Sequence, residues 1–267
     1  MQISRFDIET VILPMHKIEE NFEEDIVLED KFKKVVIGRK NGLLKEYCVN
    51  GKNYIENGAF EPLVYEDNED PWGWDIDVVG KNPIAMQLSK GEKGIFAGCK
   101  NVRIVEQGDV LTEIECLFEN ESSFVKISYK VYNNTPFVDI NVYTIWNEKS
   151  KALKLKIPTT LSKKCLIETA YGVNVLDCEN KERPMHRFVA KIDNDKAFAI
   201  YNNCIFSTVV DNKDIYLTLL NGSAYCAHPI GDRPMVPPDR FNAYIEQGKH
   251  TFSFRLAVDR LDELGNK

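Results

Sequence analysis

The segment Pro71-Trp72-Gly73-Trp74-Asp75-Ile76-Asp77 places two indoles beside two carboxylates. On a strand, Asp75 and Asp77 project to the same face, because side chains alternate with a period of two. Two carboxyl groups about 5 Å apart are what retaining hydrolysis of a glycosidic bond uses. The chain carries 41 acidic residues, however, so such pairs arise by chance and spacing alone does not make a dyad. The indoles favour ligand binding instead. Sugar rings offer apolar C–H faces to aromatic side chains, and their hydroxyls pair with planar groups such as carboxylate or guanidinium. A second cluster, Arg183-Pro184-Met185-His186, closes the polar stretch from Asp177 to Arg187. Trp72, Trp74, Asp75, Arg183 and His186 are therefore the candidate substrate-binding residues. The competing reading makes at least one Trp a plug at a sheet edge and His186 a structural residue.

Other chemistries find little support. The four His lie at 16, 186, 228 and 250, with no two at ligand spacing, and no metal site or cofactor is predicted for this chain. His250 and His228 fit structural roles at a strand start and a strand-to-loop change. No Gly-x-Ser-x-Gly elbow or phosphate-binding glycine pattern occurs. The seven Cys are odd in number and scattered, which favours free thiols over a disulfide framework. A net charge of −7 and a pI near 5.3 argue against a nucleic-acid binder, which needs a basic stripe. No apolar run approaches the roughly 20 residues that span a bilayer. Arg5, Asp7 and Glu9 interrupt any signal-peptide core near Met1. A cytoplasmic protein, bound neither to nucleic acid nor to membrane, is expected.

These candidates must be positioned by strands. Val125, Ile127, Tyr129 and Val131 alternate with mostly polar residues; Asn133-Asn134-Thr135-Pro136 turns the chain; Val138, Ile140 and Val142 resume the alternation. That pattern predicts a β-hairpin. The same period appears at Thr112/Ile114/Cys116/Phe118, Leu153/Leu155/Ile157, Ile215/Leu217/Leu219 and Phe252/Phe254/Leu256. Convincing helical periodicity is almost absent; Glu19 to Lys34 has the charge of a surface helix without its apolar stripe. An all-β, large antiparallel sandwich is predicted over 26–262, after a lead-in at 1–25 and before a tail at 263–267. Loops are predicted at Glu66–Pro83, Asp177–Arg187 and His228–Phe241.

Several short motifs in a fixed order are similar to the C-terminal β-domain of family 38 glycoside hydrolases, the retaining α-mannosidases. They are Leu28-Glu29-Asp30, Gly42-Leu43-Leu44, Trp74-Asp75-Ile76-Asp77, Val138-Asp139-Ile140 with Trp146, and Lys154-Leu155-Lys156-Ile157-Pro158. Tyr171-Gly172-Val173, Arg183-Pro184-x-His186, Leu217-Thr218-Leu219-Leu220 and Gly248-Lys249-His250-Thr251-Phe252 continue the series. The resemblance implies a galactose-mutarotase-like β-supersandwich that packs against a preceding α/β catalytic domain. That domain would hold the zinc and the catalytic Asp, while this chain would contribute side chains to the rim of a mannoside cleft. Three places depart from the family pattern: Asn221 where Arg is common, Arg187-Phe188-Val189 after the His, and the loop from His228 to Phe241. Two other functions stay open, a free-standing carbohydrate-binding module and a mutarotase-type epimerase with His186 as acid. A β-domain without its catalytic partner would also expose an apolar patch that self-association could cover.

Overall fold

In a computed structural model of the protein, residues 21–56, 58–67, 82–161, 164–224, 236 and 240–264 are described. The strands form three antiparallel sheets. A four-stranded sheet runs in sequence order through β1 (Ile26–Glu29), β2 (Lys33–Ile37), β3 (Leu44–Val49) and β4 (Lys52–Asn53). A six-stranded sheet has the order β15 (Glu179–Pro184), β18 (Ser207–Asp211), β19 (Asp214–Asn221), β12 (Lys151–Pro158), β5 (Glu61–Glu66), β6 (Ile84–Ala85). The ten-stranded sheet begins with β14 (Gly172–Leu176), β13 (Cys165–Thr169), β16 (Phe188–Asp193), β17 (Lys196–Asn202) and β20 (Gly248–Arg260). It continues with β11 (Val138–Trp146), β10 (Ser123–Tyr132), β9 (Leu111–Asn120) and β7 (Gln87–Leu88), with β8 (Val102–Gln107) also on β9. Helix is limited, among the described residues, to two single-turn 3-10 segments at Gly94–Phe96 and Leu261–Glu263.

The alternation seen in the sequence is the cause of the layering. In β11, Val138, Ile140, Val142, Thr144 and Trp146 are buried while the residues between them stay partly open. β10 turns into β11 through Asn133–Pro136, with Val131 opposite Val138, as the hairpin pattern predicts. Inward side chains of all three sheets share one core, which contains Tyr47, Trp146, Leu155, Leu217 and Phe254. The segment 21–34 is strand and turn rather than surface helix, because Ile26 and the Lys33 stem are buried against the body. Asp177–Arg187, predicted as a loop, contains the edge strand β15. An edge position accepts Pro184, whose missing N–H would break a central ladder.

Polar ties fix the small sheet to the large one. The Tyr47 hydroxyl donates to the Pro136 carbonyl at 2.5 Å and lies 3.3 Å from that of Leu256. Burial pushes its ionisation far above the usual phenol range. The buried Lys33 ammonium donates to Asp30 (2.9 Å) and to the Tyr132 carbonyl (2.5 Å). Burial alone would raise the Asp30 pKa. Hydrogen bonds from Lys33 and from the Phe32, Lys33 and Asn134 amides outweigh it and hold the carboxyl below its ordinary value.

β20 lies between β11 and β17, so its inward residues meet the core from the middle of the largest sheet. Leu256→Ala, at a fully buried position, is expected to cost about 3 kcal/mol in urea unfolding. Ser253→Ala, exposed on the same strand, should stay within about 0.5 kcal/mol of the parent.

Candidate functional site

The Arg-Pro-Met-His segment forms a pinned corner between the two large sheets. β15 ends at Pro184, and the chain passes through Met185, His186 and Arg187 into β16. Met185 is fully buried and its N–H donates to the Phe206 carbonyl at 2.9 Å. The His186 N–H donates to the Glu168 carbonyl (2.9 Å), and the Arg187 N–H to the Glu168 carboxylate (3.0 Å). Asn202 closes the other side, its N–H on the Arg187 carbonyl (2.7 Å) and its side-chain amide on that of His186 (2.6 Å). With the main chain so engaged, the His186 and Arg187 side chains stand exposed. The His186 ring meets the Phe206 ring edge-on at 6.1 Å, and Phe206 is itself 69% exposed. The Arg187 guanidinium grips Glu168 through Nε, 2.9 Å from both oxygens, and through Nη2. That hydrogen bonding holds the Glu168 carboxyl below its ordinary value.

One face of the ten-stranded sheet carries a groove of about 440 Å³ that reaches this corner at Asn202. Its floor joins Asp139 and Asn141 of β11 to Ser253 and Arg255 of β20, with Lys130 and Tyr132 on one side and Tyr201 and Asn203 on the other. Asp139 and Arg255 face each other across the ladder, and the guanidinium binds the carboxylate at 2.6 and 2.9 Å. It also lies 4.1 Å from the centre of the Phe137 ring. The Tyr201 hydroxyl donates to Asp259 at 2.7 Å. Amides, phenols and a fixed guanidinium around an open groove suit a ligand rich in hydroxyls.

Arg183 sits on β15, where it pairs with Glu179 at 2.8 Å, both side chains nearly half exposed. Such a pair contributes little stability and leaves the guanidinium accessible. Trp72, Trp74 and Asp75 lie outside the described residues, as do His16 and His228. The His250 ring bonds the Glu246 carbonyl at 2.9 Å and stacks on Phe252, a structural role at the start of β20. Among the described residues, no three His, Cys, Asp or Glu side chains are grouped to hold a metal ion. None of them forms a helix long and apolar enough to cross a membrane. Sequence reasoning passed over Arg187, Asn202 and the Asp139–Arg255 pair. The only signal for the last was two opposite charges on the outward faces of predicted strands. Beyond the corner, the β13–β14 hairpin carries Tyr171, Val173 and Val175, all exposed.

Residues 28–229 match a family model described as the glycosyl hydrolases family 38 C-terminal domain. Among solved structures, the chain is similar to a glycosyl hydrolase family 38 protein from Enterococcus faecalis, with a TM-score of 0.66 and 13% identity over 89% of this chain and 30% of that one. It is similar also to an alpha-mannosidase from Enterococcus faecalis V583, with a TM-score of 0.65 and 11% identity over 89% of this chain and 29% of that one. A putative aldose 1-epimerase from Escherichia coli K12 gives a TM-score of 0.44 and 10% identity, over 89% of this chain and 99% of that one. The chain thus spans about 30% of the length of the first two structures. No curated protein matches it. At these identities the structures speak for the fold alone.

The corner should be sensitive to acid. Glu168 has a folded-state pKa below its unfolded one, so its contribution is complete above the unfolded value of about 4. It is lost as pH falls through the depressed folded value. Glu168→Gln is therefore expected to lower the urea midpoint at about pH 7 and to flatten its decline toward about pH 3.

Proposed function

This chain belongs to the C-terminal domains of the family 38 glycosyl hydrolases, and from that premise we propose that it is a non-catalytic β-domain completing the mannoside cleft of a separate catalytic domain. The observation that carries this reading is the pinned corner at 185–187, where buried Met185 and five hydrogen bonds hold His186 and Arg187 outward. A rim residue needs that kind of support, because a sugar hydroxyl is recognised only where the partner is already in place. Arg183 binds substrate hydroxyls through charge-assisted hydrogen bonds and His186 through its ring nitrogens, and Trp72, Trp74 and Asp75 supply stacking and a further acceptor. The exposed Tyr171, Val173 and Val175 form the apolar patch that packs on the catalytic α/β domain, or self-associates in its absence. Zinc and the catalytic carboxylate belong to that domain, and no step of the reaction is assigned to this chain. The six free thiols among the described residues suit a reducing, cytoplasmic setting.

A second reading, a free-standing carbohydrate-binding module, is favoured by the groove over Asp139 and Arg255. The two make different demands. In the first, the isolated chain turns over no aryl α-mannoside. Reunited with its catalytic domain it does, and His186→Ala or Trp74→Ala lowers kcat/KM by about tenfold or more, the value of one lost hydrogen bond or stacked ring. Unchanged kinetics in both variants would remove these residues from the cleft. In the second, calorimetric titration of the isolated chain with a mannose oligosaccharide shows binding that Arg255→Ala abolishes and His186→Ala leaves intact.

A further inference from the structure

Two cysteines and a buried lysine meet where the chain leaves the ten-stranded sheet for the six-stranded one. Cys165 opens β13, flanked in register by Leu176 of β14 and by Lys191 of β16. Cys178 lies two residues beyond β14, at the crossover into β15. The Cys165 Sγ is 3.5 Å from the Leu176 carbonyl oxygen, two residues before Cys178, and the Cys178 sulfur lies near enough to act on it electrostatically. The Lys191 side chain is fully buried; its ammonium lies 3.2 Å from the Cys178 Sγ and donates to the Asn212 carbonyl. Neither of those partners carries a formal negative charge, although a buried cation is costly without a counter-charge. A sulfur acquiring negative charge beside it supplies one.

The cysteines differ in access as well as in surroundings. Cys165 is buried, and Cys178 is partly open. Burial, helped by the neighbouring sulfur, pushes the Cys165 thiol up to about 11. Cys165 is thus poorly suited to react first and well placed to react second.

We propose that Cys165 and Cys178 form a reversible thiol–disulfide switch that a small-molecule disulfide enters at Cys178, with Lys191 as its positioning charge. The Cys178 sulfur attacks one sulfur of the incoming disulfide. That S–S bond breaks, a mixed disulfide forms at Cys178, and one small thiol departs with the proton. Cys165 then attacks the Cys178 sulfur and releases the second small thiol with its own proton. Two protein thiols are oxidised and one small disulfide is reduced to two thiols. Lys191 stabilises the charge on the Cys178 sulfur when it attacks. The new bond ties the root of the β13–β14 hairpin to the crossover that leads to the corner at 185–187. It therefore couples oxidation to the stiffness of that corner.

Oxidised glutathione tests the switch on the whole chain, with alkylation of remaining thiols and peptide mapping by mass spectrometry without reductant. A linked Cys165–Cys178 peptide, reversed by dithiothreitol, is the expected product. Cys165→Ser should stop at a glutathione adduct on Cys178. Lys191→Met should slow that adduct about tenfold while leaving modification of Cys48 unchanged. Full alkylation of both cysteines after oxidation, or no adduct on Cys178 in Cys165→Ser, would overturn the proposal. An equal slowing at Cys178 and Cys48 would remove Lys191 from it. Should Lys191→Met not fold, the first two results decide the matter on their own.

Discussion

The ladder that β20 makes with β11 on one side and β17 on the other holds the large sheet together. Without it, the other nine strands separate into β7 to β11 on one side and β13, β14, β16 and β17 on the other. The ladder also sets the chemistry of the groove, since only this register brings Arg255 opposite Asp139, 116 residues away in the chain. A slip of one residue would turn Arg255 into the core and Leu256 into the groove, exchanging a buried methyl cluster for an unpaired charge. Core packing and groove composition are thus two consequences of one alignment.

The six-stranded sheet is fixed differently. Glu182 of β15 receives the buried Lys154 ammonium at 2.5 Å, together with the hydroxyls of Ser207 and Thr218. One carboxylate thereby ties β12, β18 and β19 to the edge strand. A buried pair of this sort adds little net stability over an apolar substitute, but it penalises every other pairing of β15 strongly. That selectivity matters here, because β15 is short, bulged and polar, with little apolar surface to define its register. The corner at 185–187 hangs on the end of that strand.

Much of the fold was legible because strands declare themselves through alternation. The hairpin at 123–146, the inward Leu153, Leu155 and Ile157, and Phe252, Phe254 and Leu256 all follow the period of two. The edge strand β15 was not, since Asn180, Pro184 and a run of charges have the composition of a loop and its pairing comes from β18. The site was legible only in part. Arg183 and His186 stand out by type, but Arg187 gains meaning only beside Glu168, which lies 19 positions earlier, on β13. Lys154 and Lys191 carry the opposite lesson. Each has the charge of an outward position, and each is buried because the fold supplies acceptors that no local pattern announces.

The outer edge of β14 has one more consequence. Among the described residues it pairs only with β13, and Val173 and Val175 leave that side both apolar and open to hydrogen bonding. An unprotected edge of this kind is a template for any other extended chain, including an identical one. Wherever no neighbour covers it, strand-by-strand growth from one copy to the next becomes available.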